Sequence, residues 1–165
     1  MDTLWAPWRG AYVKKALNNQ GPEAECVFCQ SGSQKEEKEA LVLYKGKFNF
    51  VLMNLYPYNL GHLLVVPYEH LDSVEKLREE ARNEHYLLMT ETVKVLRSHF
   101  SCDGFNVGMN IGRSGGAGID RHIHTHVVPR WNGDANFMPI IGKTKVMSDT
   151  IADVYNALAQ KFREI

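Results

Sequence analysis

Neither sign of charge predominates in this chain: nineteen Lys and Arg residues stand against nineteen Asp and Glu in 165 residues. That balance excludes binding of nucleic acid or an anionic membrane through a global positive field. Cysteine is scarce. Cys26, Cys29 and Cys102 are odd in number and include one close pair, so they form no disulfide framework and point to a reducing, cytoplasmic compartment. No apolar run approaches the ~20 residues that span a bilayer. The opening stretch from Met1 to Arg9 lacks a charged segment followed by an apolar one, so no signal peptide is read there. Internal repeats and a Rossmann glycine fingerprint are also missing. What is present, 44% hydrophobic and 23% charged residues, suits one soluble domain able to bury a core without disulfide staples.

That domain is expected over 1–165, with 1–25 as an N-terminal arm carrying two tryptophans and two prolines but no sustained period. Ser31 to Glu39 reads as a solvated connection. Three strands are then expected, Leu41 to Tyr44, Phe48 to Met53 and His62 to Val66, punctuated by Lys45-Gly46 and Pro57-Tyr58-Asn59. Tyr86, Met89, Val93, Leu96 and Phe100 recur at helical spacing, which predicts a long helix capped by Asp72 or Ser73. Strands from Gly104 to Asn110 and from His122 to Pro129 follow. Ile151, Val154, Tyr155, Leu158 and Phe162 mark a C-terminal helix with Ser148 or Asp149 as its cap. Short loops within each strand group favour the α+β class: an antiparallel sheet of about five strands with a long helix and a C-terminal helix packed on it.

Three of the seven histidines fall within five residues, His122-Ile123-His124-Thr125-His126. Side chains alternate along a strand, so these three project from one face and Ile123, Thr125 and Val127 from the other. A single histidine there would be an ordinary core residue. Three in register invite two chemistries. Neighbouring imidazoles can share a metal ion with ligands from elsewhere, although the first and third lie ~13 Å apart along a strand. Alternatively, a neutral imidazole attacks phosphorus while its other ring nitrogen is held by an acceptor. Upstream, Gly112 to Gly118 holds four glycines in seven residues, a loop able to turn its N–H groups toward an anion. Beside a nucleophile, such donors are what phosphoryl transfer needs.

The alternating histidines resemble the signature of the histidine-triad (HIT) superfamily of nucleotide hydrolases and transferases. Asn54 to Pro67, with a fourth histidine at His62, is similar to the strand–loop–strand upstream of the triad in that family. Pro129 to Phe137 resembles the bacterial branch that contains diadenosine tetraphosphate phosphorylases. The resemblance implies cleavage at the α-phosphate of an adenosine nucleotide such as diadenosine tetraphosphate, ADP or AMP. It assigns His124 as nucleophile, His126 to the phosphate and leaving group, and His62 and His122 as support. It also places Asn54 at the ribose, Leu52, Leu64 and Phe28 around the base, and Asn110 with Gly116 and Gly118 along the phosphates. Leu52, Leu64 and Phe28 fit bland core packing equally well. Trp131 can stack on a base or simply close over the core. Ile119 stands where many relatives have Ser or Thr. The resemblance further implies a homodimer or higher homo-oligomer; no feature of the sequence suggests a nucleic-acid partner.

Cys26-Val27-Phe28-Cys29 is a C-x-x-C without a thioredoxin-like surround, so metal binding or neither remains open from spacing alone. Some members of the superfamily, including galactose-1-phosphate uridylyltransferases, pair such cysteines with histidines at positions matching His70 and His122. That implies a structural zinc on Cys26, Cys29, His70 and His122. Cys102, His85 and His99 read as ordinary. Two other functions fit the same residues: a zinc hydrolase using triad histidines as catalytic ligands, and a nucleotide-binding module without turnover.

Overall fold

The computed structural model describes residues 26–142, 144 and 146–165; the expected arm at 1–25 lies outside them. After a short helix α1 (Val27–Ser33) come strands β1 (Val42–Lys45), β2 (Asn49–Met53) and β3 (Leu63–Pro67). A 3₁₀ turn (Val74–Lys76) leads into the long helix α2 (Glu79–Phe100). The chain continues through β4 (Gly104–Met109), a second 3₁₀ turn (Arg113–Gly115), β5 (Thr125–Arg130), helix α3 (Met138–Ile141) and helix α4 (Ile151–Phe162). The sheet order is β1-β2-β3-β5-β4, with every neighbouring pair antiparallel. The α+β expectation and its five strands hold.

Strands β2 and β3 are buried on both faces, and alternation sorts their side chains into two cores. Val51, Met53, Leu63 and Val65 meet Leu88, Val95 and Leu96 of α2 and Val154, Leu158 and Phe162 of α4. Phe50, Leu52, Leu64 and Val66 face the other way and pack with Phe28 of α1. Helices thus cover β1, β2, β3 and β5 on one side, leaving β4 largely exposed, and α1 covers part of the other side. The uncovered part holds the site.

Several expected boundaries move. The buried line of α2 is Ala81, His85, Leu88, Thr92, Val95 and Leu96; Tyr86 is 67% exposed. A polar pair, His85 and Thr92, lies inside that line; of the expected stripe Leu96 is buried and Met89, Val93 and Phe100 pack against the core, so Tyr86 alone falls off that face. Neither Asp72 nor Ser73 caps α2. Asp72 pairs with Lys76 at 2.6 Å, Ser73 precedes the 3₁₀ turn, and Arg78 begins the helix without a side-chain cap. Helix α4 is capped by Thr150, whose Oγ1 accepts from the Asp153 N–H at 3.2 Å. Ser148 and Asp149 bond each other instead. Ser31 to Ser33 belong to α1 rather than to the connection that follows.

Candidate functional site

Register places the histidines. Leu64 on β3 pairs with Leu52 on β2 and with His126 on β5, so these three form one row across the open face. Ladder pairing of β5 starts only at Thr125. His122 and His124 therefore precede the strand rather than lie on it. Their backbone is drawn aside because the Ile123 N–H donates to the Leu71 carbonyl at 2.6 Å. The facing pattern survives: the rings of His124 and His126 lie 4.8 Å apart, while Thr125 and Val127 turn to the helices.

His124 Nδ1 lies 2.8 Å from the His122 carbonyl oxygen. A carbonyl only accepts, so Nδ1 carries the proton and Nε2 keeps its lone pair. Burial pushes the His124 pKa below its ordinary value, which keeps the ring neutral and nucleophilic. His62 is set by the opposite logic. Its Nδ1 accepts from the Tyr58 N–H at 3.0 Å, which leaves the proton on Nε2. That Nε2 sits 2.9 Å from His126 Nδ1. His126 Nδ1 must accept, and its Nε2 is the N–H. One histidine thus offers a lone pair and its neighbour a donor.

Both line a cleft of about 700 Å³. Phe28, Leu52, Leu64, Asn54, Asn110 and Gly118 line it too, together with Cys26 and His70. Its apolar floor is therefore also the second core. Asn54 is engaged beforehand: its Nδ2 lies 3.2 Å from His62 Nδ1 and its Oδ1 accepts from the Tyr56 N–H.

Two expected residues fall elsewhere. Gly116 is not part of the lining, and the glycine loop is not an open nest. The N–H groups of Gly115, Gly116 and Ala117 are taken up by the Gly112 and Arg113 carbonyls in a tight turn. Trp131 closes over the core instead: its ring meets Phe100 edge-on, and its Nε1 donates to the Phe100 carbonyl at 3.4 Å. Tyr58 was missed in the sequence. Its ring stacks on His126 at 5.6 Å and tilts over His62 at 4.6 Å. Only the turn residues around it mark the position.

Behind the triad, Cys26 begins α1 and Cys29 lies one turn on, so both sulfurs share a face. His70 and His122 complete a group whose ligand atoms all lie within 4.8 Å of one another. Sγ to Nδ1 separations are 3.3 Å for Cys26–His122, 3.2 Å for Cys29–His70 and 3.6 Å for Cys29–His122. A tetrahedral ion with ordinary metal–sulfur and metal–nitrogen bonds spaces such atoms about 3.6 Å apart. His122 Nε2 donates to the Pro67 carbonyl at 2.9 Å, which turns a deprotonated Nδ1 to the cluster. Burial also pushes His122 down to about 4, favouring the neutral ligand form. The four side chains fit a divalent metal.

The HIT domain family matches residues 35–133, which include the row, the loop and the triad. This chain belongs to the HIT family. The HIT chain is 37% identical over 165 residues to the AP-4-A phosphorylase of Mycobacterium tuberculosis, covering 98% of this chain and 85% of that protein. A bis(5'-adenosyl)-triphosphatase of Dictyostelium discoideum is 28% identical over 93 residues, 56% of this chain and 62% of its own. Among solved structures, a Zn-bound histidine triad protein from Mycobacterium smegmatis shares the HIT fold, with a TM-score of 0.67 and 23% identity over 87% of this chain and 96% of its own. A histidine triad nucleotide-binding protein from Sulfolobus tokodaii has a TM-score of 0.64 and 26% identity over 84% and 90%.

Proposed function

We propose that this HIT protein cleaves dinucleoside polyphosphates at the α-phosphate through a nucleotidyl-His124 intermediate, as a diadenosine tetraphosphate phosphorylase or hydrolase. The observation that carries the reading is the His124 Nδ1 to His122 carbonyl hydrogen bond, which leaves a neutral Nε2 as nucleophile in a cleft able to hold a nucleoside. Similarity to the AP-4-A phosphorylase over nearly the whole chain supports the substrate class.

Nε2 attacks the α-phosphorus, an N–P bond forms and the P–O bond to the polyphosphate breaks. From diadenosine tetraphosphate the group released is ATP. It departs as a phosphate anion, so the step needs charge stabilisation more than a proton. The His126 Nε2–H supplies a hydrogen bond to that charge, fixed by the Tyr58–His62–His126 chain. Phe28, Leu52 and Leu64 would hold the base, and Asn54 the ribose. Water or phosphate then displaces His124.

We read the metal as structural zinc on Cys26, Cys29, His70 and His122; when bound, it fixes the backbone that bears the His122 carbonyl. Four protein ligands close a coordination sphere, which suits a structural rather than a catalytic ion. Among the described residues this is the one group able to hold an ion. A catalytic metal on His124 and His126 therefore lacks a donor set. The balanced charge and three cysteines without a disulfide between them support a cytoplasmic enzyme acting on nucleotides rather than nucleic acid. The outer edge of β4, where Val107 is exposed, suits pairing with a second copy in a homodimer.

Product analysis tests the reading. Diadenosine tetraphosphate should give ADP and ATP only with phosphate, or AMP and ATP with water. Tight nucleotide binding with no turnover would instead make the protein a binding module.

A further inference from the structure

Thr125 stands between the two cleft histidines, yet its side chain leaves the sheet on the helix side. It is 2% exposed, and its Oγ1 lies 2.6 Å from Nε2 of His85 on α2, which is itself 4% exposed. His85 Nδ1 lies 2.9 Å from Oδ1 of Asn49. The Asn49 Nδ2 donates to the Ala81 carbonyl and to Glu84 Oε2, at 2.9 and 2.8 Å, which fixes its amide orientation. Oδ1 must then accept, so His85 Nδ1 is the donor and Nε2 accepts from the Thr125 hydroxyl. Burial pushes His85 down to about 4, which keeps Nε2 an acceptor at neutral pH. Glu84 is held in turn by the N–H groups of Lys47 and Phe48, both at 2.7 Å.

This network ends where the nucleophile begins. His124 lies just outside the ladder, so sheet hydrogen bonds do not set its orientation. Its backbone is anchored by Ile123 to Leu71 on one side and by Thr125 on the other. We propose that His85 is a positioning residue for the reaction: by accepting the Thr125 hydroxyl through the sheet, it fixes the roll of the strand end that aims His124 and His126 into the cleft. The proposal rests on His124 being the nucleophile.

The test is single-turnover formation of the nucleotidyl-enzyme from diadenosine tetraphosphate, with near-UV circular dichroism to confirm folding. Thr125→Val keeps the shape and removes the hydroxyl; Thr125→Ser keeps the hydroxyl. Thr125→Val should slow the step by about 10- to 100-fold at saturating substrate, the scale of a small misplacement, with KM nearly unchanged. Thr125→Ser should recover most of the rate. His85→Leu should match Thr125→Val, and the double variant should be no slower than either. His85→Gln, which offers an oxygen near the Nε2 position, should recover activity. The two His85 variants also answer the question if Thr125→Val does not fold. A folded Thr125→Val or His85→Leu reacting at the wild-type rate, or a Thr125→Ser as slow as the valine variant, overturns the proposal. If the wild-type protein turns over substrate but forms no adduct, the nucleophile assignment falls first and this proposal with it.

Discussion

His124 takes its tautomer from His122: the Nδ1 of one lies 2.8 Å from the carbonyl oxygen of the other. The His122 ring points away, into the Cys26–Cys29–His70 cluster. Two residues apart in sequence, one histidine turns a ring with a free lone pair to the cleft, and the other anchors the backbone whose carbonyl sets that tautomer, as the proposed mechanism requires.

If the cluster holds zinc, metal analysis of protein prepared without chelator should give one zinc per chain. Removing it should cost stability as well as activity. A ligand held at a hundred times its Kd adds about 2.7 kcal/mol, so stripping the metal should lower the Tm by roughly 5–10 °C. A Cys26→Ser, Cys29→Ser variant should lose the metal and show the lower Tm with or without added zinc. Full metal content in that variant would contradict the assignment.

Buried His85 should make stability depend on pH. Desolvation holds its pKa at about 4 in the folded chain, against 6.5 ordinarily. The depressed value means the unfolded state binds the extra proton first. Its contribution is present above pH 6.5 and is lost as pH falls toward 4, amounting to about 3 kcal/mol over that window. Burial of His122 acts in the same direction, so the comparison needs His85→Gln as reference. Denaturant unfolding from pH 7.5 to 4.5 should show a shallower loss in that variant. Equal slopes would contradict the role given to burial.

Gly61 has φ of +69°, and a Cβ there would stand 2.7 Å from Cε2 of Phe100. Left-handed backbone and contact together make Gly61→Ala destabilising by about 3 kcal/mol, roughly 10 °C in Tm. Thermal melting checks it. The neighbouring His62 should be displaced too, so activity should fall even at temperatures where the variant is folded.

The triad, the fourth histidine and the cysteine pair were legible because each follows a local spacing or a resemblance along the chain. What was not legible depends on residues far apart. His85 looked ordinary on its helix, since its partners Asn49 and Thr125 lie 36 and 40 residues away. The same histidine and Thr92 are polar members of the buried line of α2 that apolar spacing leaves out, whereas Met89, Val93, Leu96 and Phe100 mark its core side correctly. The glycine run was recognisable as a loop, but its own carbonyls claim the N–H groups expected for an anion. Trp131 was open between two roles, and its edge-on contact with Phe100 could not be read from a proline two positions earlier.

The most direct measurement is mass spectrometry of the full chain, quenched under conditions that preserve phosphoramidates after brief mixing with diadenosine tetraphosphate. The account predicts one adenylyl group per chain, located on His124, and none in a folded His124→Ala variant, which should also lack turnover. Turnover by His124→Ala, or an adduct on another residue, would contradict it.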